Sequence, residues 1–244
     1  MSVKFSAANT KIKKLAKLPQ FQRWLSNKRK IYSFDLLSGF SCPAAKDCLS
    51  RAIQTSEGRR IEDGPDTEFR CFSASQEVVY TNVYNLRKGN FDALRGCTTV
   101  ESMVDLIQSA FPKNAGIVRI HVAGDFFNRL YFLAWLEIAR KNPSVLFYAY
   151  TKQLPLVIEN ADKIPDNLVL TASRGGKYDE MIEIHDMRSS TVVESEDHAT
   201  ALGLPVDSDD SHAADPDKRS ESFALVIHGT QPKGRKKLSL PVLA

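Results

Sequence analysis

Ile117-Val118-Arg119-Ile120-His121-Val122, Val145-Leu146-Phe147-Tyr148-Ala149-Tyr150 and Leu168-Val169-Leu170-Thr171 are short apolar runs rich in β-branched and aromatic residues. They decide the fold because the segments between them read as helices. Asn128 is placed to cap a helix over 129–140, and 154–161 forms a shorter one. Apolar strands that alternate with helices define parallel βαβ units covered on both faces. Downstream the alternation continues with a helix at 178–185, a strand at 191–193, a helix at 196–202, a short strand at 204–206 and a strand at 223–227. Upstream, 31–37 reads as a first strand closed by Ser38-Gly39. Thr98-Thr99-Val100-Glu101 starts a capped helix that runs to Ala110 ahead of Pro112. Between these, 74–86 has helical spacing and 57–67 is polar with Gly and Pro, hence a loop.

The expected fold is therefore α/β, a parallel sheet forming a partial (β/α) barrel with a cysteine-bearing N-terminal insertion. A doubly wound open sheet is the competing arrangement. Three segments are expected: a basic helical stretch over 1–30, a single α/β domain over 31–230 with its cysteine region at 40–97, and a basic tail over 231–244. In the first of these, Ile12, Leu15, Leu18, Phe21, Trp24 and Leu25 recur at helical spacing, interrupted by Pro19.

With 244 residues, 43% of them hydrophobic and 25% charged, the chain is long enough to bury a substantial core. No apolar run is long enough to span a membrane, and the basic N-terminus has no apolar signal-peptide core behind it, so neither insertion nor export is expected. The formal charge of +4 does not by itself imply nucleic acid. The charge is concentrated at both ends, however, from Lys11 to Lys30 and from Lys233 to Lys237. Such blocks are either solvated surface or a face for nucleic acid or an acidic partner.

All four cysteines, Cys42, Cys48, Cys71 and Cys97, fall in the first hundred residues. A chain of this size without an export signal needs no disulfides, and a reducing cytosol would not keep them. Clustering instead points to a metal ligand set, against the plainer reading of unrelated buried thiols. The intervals of 5, 22 and 25 residues do not suit a local zinc ribbon, whose pairs sit closer. Iron-sulfur clusters, by contrast, take thiolates from separate loops. The expected cofactor is an iron-sulfur cluster of the 4Fe-4S type, with zinc as the alternative.

In parallel α/β folds functional groups gather at the carboxyl ends of strands. Applied strand by strand, that rule collects Asp125, Asp210 and His228 as residues of one polar cleft beside the cysteines, to which His121, on a strand where it can point into a barrel interior, and His212, two residues past Asp210, are added as candidates. It also collects Lys152 with Ser173-Arg174-Gly175-Gly176, where free amides and two cations suit an anionic small molecule or nucleotide. Each has a plainer reading, as a tight turn at Gly175-Gly176 or a hydrogen-bonded core histidine at His121. Asp209-Asp210-Ser211-His212 does not make a catalytic triad, because adjacent residues align poorly for proton relay.

Several blocks in one order resemble a known family. They include Gly39-Phe40-Ser41-Cys42-Pro43-Ala44-Ala45, Arg70-Cys71-Phe72-Ser73-Ala74-Ser75, Ile120-His121-Val122-Ala123-Gly124-Asp125-Phe126-Phe127, Tyr148-Ala149-Tyr150-Thr151-Lys152, Leu170-Thr171-Ala172-Ser173-Arg174-Gly175-Gly176, Asp209-Asp210-Ser211-His212-Ala213 and His228-Gly229-Thr230-Gln231-Pro232. Together, across residues 36–236, they resemble the bacteriophage "gene product 88" family. The resemblance implies a phage origin and expression in the cytoplasm of a bacterial host. It carries over cysteines at Cys42, Cys48 and Cys71, while Cys97 lies outside the shared blocks.

A more distant likeness, in layout alone, is to radical S-adenosylmethionine enzymes: a partial barrel, a cluster loop after the first strand, and the Gly124-Asp125 turn after the next. Those enzymes usually carry C-x3-C-x2-C, which this chain lacks. The leading expectation is a redox-active or enzymatic iron-sulfur protein with ligands Cys42, Cys48, Cys71 and Cys97, the fourth position being equally open to a non-cysteine group or a substrate. The alternatives are a nucleic-acid-binding or host-interaction module with a structural metal, and a radical enzyme.

Overall fold

The computed structural model describes residues 2–238; residues 239–244 of the basic tail lie outside the described residues. Among the described residues nine strands run in chain order: β1 (Ser6–Ala7), β2 (Lys30–Phe34), β3 (Ser50–Thr55), β4 (Gly58–Asp63), β5 (Ala115–Ile120), β6 (Leu146–Thr151), β7 (Leu168–Ser173), β8 (Ser189–Val193) and β9 (Phe223–Val226). The helices are α1 (Gln22–Leu25), α2 (Phe72–Val79), α3 (Thr81–Arg95), α4 (Val100–Ser109), α5 (Arg129–Lys141), α6 (Leu154–Glu159), α7 (Glu180–Ile184), α8 (Glu196–Ala201) and α9 (Ser211–Ala214).

Seven strands form one mostly parallel sheet in the order β1-β2-β5-β6-β7-β8-β9, and β3 and β4 form a separate hairpin. Only the β1 edge is antiparallel. From β2 to β9 each neighbour pairs in parallel, with Phe34 opposite Ile120 and Ile120 opposite Ala149. The order never reverses, so the sheet lacks the switch point of a doubly wound fold.

Period-two alternation assigns the side chains of each strand to two cores. Phe34, Val118, Ile120, Phe147 and Ala149 meet Met103 and Ile107 of α4 and Tyr131 and Trp135 of α5. Ile31, Ile117, Leu146, Tyr148 and Val169 face the other way, onto Ile12, Leu15, Phe21 and the α9 alanines. The expected caps are present: Asn128 Oδ1 accepts the Tyr131 amide at 2.8 Å, and Thr99 forms a reciprocal capping box with Ser102.

The N-terminal stretch enters the sheet as β1 and packs as 3-10 turns (Ile12–Lys17, Pro19–Phe21), with Ile12, Leu15 and Phe21 fully buried. Three local expectations differ from the structure, the first being the strand expected at 204–206, which is only an isolated bridge between Val206 and Ala224. Residues 57–67 are not a plain loop: Gly58–Asp63 pairs with Ser50–Thr55, and the turn closes at Gly58 with φ +122°. The strand signal was weak because this half-exposed ribbon alternates charged residues with few apolar ones. The helix expected over 74–86 is broken at Tyr80, whose extended backbone (φ −109°, ψ 103°) separates α2 from α3.

Candidate metal centre at the strand ends

The parallel strands end in a cavity of about 190 Å³. Cys42, Cys48 and Cys71 line one side; residues at the ends of β5, β6, β7, β8 and β9 line the rest. Cys42 and Cys48 sit on the loop after β2, and Cys71 is the N-cap residue of α2. They stand near one another: the Cys48 charge raises the pKa of both Cys42 and Cys71, and that of Cys71 raises Cys42. Cys97 is elsewhere. It follows α3 with its sulfur against the Ala93 carbonyl, packs on the main core, and does not line the cavity.

Four contacts fix the cysteine loops. Gly124 (φ +97°) lies so close beneath the first loop that a Cβ there would meet Ser41 Oγ at 2.6 Å. Behind the loop, Lys46 and Asp47 donate their amides to Gly175 O, and Lys177 donates to Ala44 O. Glu77 of α2 is fully buried; it accepts from the amide (3.0 Å) and hydroxyl (2.8 Å) of Ser38 and pairs with Arg87. Beside Cys71, Gln231 brackets Arg70, accepting from its amide at 2.8 Å and donating to its carbonyl at 3.0 Å.

Burial pushes all three thiols up, Cys71 to about 11 and Cys42 and Cys48 above their usual range. Smaller influences on Cys42 are Asp125 and the other two thiols, which raise it, and the Gly39 amide, which lowers it. The Ser73 and Ala74 amides in the first turn of α2 lower Cys71. A thiol of this kind is protonated at neutral pH and a poor nucleophile. A bound metal reverses that balance, since its charge displaces the proton and restores the thiolate. Among the described residues no three His, Cys, Asp or Glu side chains stand close enough to hold a single metal ion. That geometry does not match a preformed zinc site. A cluster attaches its thiolates to different irons and so accepts them further apart.

Asp125 lines the cavity with its carboxylate filled by three donors: the Phe126 amide and Thr151 hydroxyl at 2.7 Å and the Lys152 amide at 2.9 Å. Burial, opposed by those bonds, pushes its pKa up to about 6. His121 (φ +71°) bonds Tyr131 OH through Nε2 at 2.9 Å and leaves Nδ1 buried without a partner. Burial, with Arg119 close by, holds its pKa down at about 3. Among the residues expected in the cleft, His228 lies at the rim. Asp210 and His212 lie outside it: Asp210 pairs with Lys11 and Arg119, and His212 contacts Lys218 and Phe223.

The groups expected to hold an anion already have partners within the chain. The amides of Gly175 and Gly176 donate to the Asp179 carboxylate at 2.7 and 2.8 Å. Lys152 Nζ donates to Ser173 O, Ser173 Oγ and Arg174 O, and Arg174 pairs with Glu183. The turn thus behaves as an anion nest whose anion is Asp179, and its carbonyl side supports the cysteine loop. Sequence reading missed Glu77, Arg87, Asp35 and Gln231 because each acts through a partner distant in sequence. Asp35 Oδ1 accepts the Val122 amide at 2.6 Å, which ties the end of β2 to the β5 turn.

The architecture and the site define a class: a mixed α/β protein with three converging thiols at the carboxyl edge of a mostly parallel sheet. No helix in the described residues is long and apolar enough to cross a membrane. The chain matches the bacteriophage family described as "Gene product 88" over residues 2–240, and it belongs to that family. It is 27% identical over 140 residues to the "Gene 88 protein" of Mycobacterium phage L5, a match that covers 54% of this chain and about half (51%) of that relative. No solved structure matches the chain.

Proposed function

We propose that this phage protein carries a 4Fe-4S cluster on Cys42, Cys48 and Cys71, at the open end of a partial (β/α) barrel, and works in the bacterial cytoplasm as a redox protein or enzyme. The observation that carries this reading is the convergence of three thiols in one largely apolar cavity, with a backbone amide at each sulfur. Reactive cysteines sit in electropositive surroundings that lower their pKa, and these do the opposite. Amides that donate to cluster sulfurs tune potential and stabilise the bound state. Strand order supports the barrel part of this reading: each parallel strand is added next to the one before it, and crossovers that keep the usual right hand would roll such a sheet in one direction. The test is an iron, sulfide and zinc assay on anaerobically purified protein. Iron and sulfide in equal amounts with a brown colour support the cluster. Stoichiometric zinc alone refutes it.

One observation favours a second reading, a radical S-adenosylmethionine-like enzyme: only three cysteines reach the cavity, so one iron lacks a thiolate. Reductive cleavage of S-adenosylmethionine by the reconstituted protein would support it. The nucleic-acid or host-interaction alternative draws on the exposed Lys13, Lys14 and Lys17, and a steep salt dependence of DNA binding would favour it.

A further inference from the structure

We propose that His228, through Nε2, is the fourth protein ligand of the metal centre held by Cys42, Cys48 and Cys71. This rests on the cluster reading and goes beyond it by closing the remaining coordination position with an imidazole.

The argument starts from the nitrogen, oxygen and sulfur atoms of the cavity wall, nearly all of which are engaged. Asp125 accepts three donors, Lys152 Nζ has three acceptors, and the Thr151 hydroxyl bonds Asp125. The Arg70 guanidinium forks onto Asp63. His121 uses Nε2 on Tyr131, and its free Nδ1 has no open surface from which to reach a ligand. Cys97 lies away from the cavity. His228, exposed at the rim of the same cavity as the three thiols, has no hydrogen-bond partner for Nε2 among the described residues, so that nitrogen is open to solvent and accessible to a metal.

The placement of this ring is constrained on both sides. It lies over Phe72, the residue directly after Cys71, with ring centres 4.5 Å apart. Gly229 (φ +85°) brings the backbone so close that a Cβ there would meet Phe72 Cβ at 2.8 Å. Gln231, three residues on, grips Arg70 on the other side of Cys71. The end of β9 is thus held against the Cys71 turn, and the imidazole travels with that cysteine. Nδ1 faces the Val226 carbonyl at 3.4 Å. A metal-bound histidine characteristically donates its second ring N–H to a carbonyl or carboxylate, which fixes the tautomer that leaves the other nitrogen as ligand.

The experiment uses full-length protein, purified or reconstituted anaerobically, reduced with dithionite and studied by pulsed electron paramagnetic resonance with 14N- and 15N-labelled histidine. The expected result is a directly bonded histidine nitrogen on the cluster in wild type, absent in His228→Ala and unchanged in Cys97→Ala. His228→Cys, which replaces a neutral ligand by a thiolate, should retain the cluster at a lower midpoint potential. If His228→Ala does not fold, the isotope comparison in wild type still decides. A full complement of iron and sulfide without histidine coupling, or with the same coupling in His228→Ala, overturns the assignment and leaves the cluster reading standing. Wild type without iron and sulfide overturns both.

Discussion

Replacing Asp210 by Asn should unlock the N-terminal segment from the sheet. Asp210 is buried in a left-handed conformation (φ +65°). It receives Lys11 Nζ at 2.8 Å, Arg119 Nη1 at 2.5 Å and Tyr148 OH at 2.9 Å. Asparagine keeps the shape but leaves two cations facing an uncharged amide. Removing one partner of a buried, hydrogen-bonded ion pair costs about 3–5 kcal/mol, because the remaining charge is stranded. For a domain of this size each kcal/mol moves Tm by roughly 2–4 °C, so the expected fall is about 6–20 °C. Lys11→Ala should cost only about 1 kcal/mol, since that side chain is partly exposed and solvent screens it. The attraction of Arg119 and Lys11 outweighs burial and holds the Asp210 carboxyl below its usual range. A depressed carboxyl stabilises fully above its unfolded-state value, about 4, and loses that stabilisation as pH falls through the folded value. Calorimetric melts of wild type and Asp210→Asn should therefore differ most near neutrality and converge in strong acid. A loss below about 1 kcal/mol at pH 7 would refute the latch.

Three other outcomes follow from the site. Cys42→Ala, Cys48→Ala and Cys71→Ala should each remove most of the iron measured after anaerobic purification, while Cys97→Ala keeps it; full retention in the first three would sink the cluster assignment. Glu77→Ala strands Arg87 and frees Ser38, so it should cost about 3–5 kcal/mol in urea melts and loosen iron binding as well, because α2 carries Cys71 and Ser38 begins the Cys42 loop. His121, held neutral with a pKa near 3, takes up a proton chiefly on unfolding, so stability should decline as pH falls from about 6.5 towards 3. His121→Leu should flatten that decline, and an unchanged slope would assign it to other groups.

The strands from 117 onward were legible because burial on both faces leaves continuous apolar runs. β1, with two residues, and β4, alternating Arg59, Ile61 and Asp63, carry no such signal. The cavity position followed from the strand-end rule, which brought Cys42, Asp125, Lys152 and His228 to one place. What sequence could not supply was the partner of each polar group. Gly175-Gly176 does present amides to an anion, but whether that anion is a ligand or Asp179 depends on how α7 returns to the turn. In the same way, Asp210 reads as a cleft acid until the far end of the chain is known to return Lys11 to it.

That long-range dependence also sets when the proposed metal centre could assemble. Cys42 and Cys48 hang from β2, Cys71 from α2, and His228 from the last strand of the sheet, with Gln231 joining the final block to Arg70. The donor set is therefore scattered in the unfolded chain and convergent only after β9 has docked. A group that binds the native arrangement and not the unfolded chain adds its binding free energy to stability. Loading should therefore raise Tm less in variants that loosen binding, such as Glu77→Ala. It should raise the Tm of variants that destabilise a face distant from the cavity about as much as that of wild type. The high thiol pKa values point the same way: without metal the three thiols are neutral and tolerate burial, so on the proposed function the fold can form before any cluster binds.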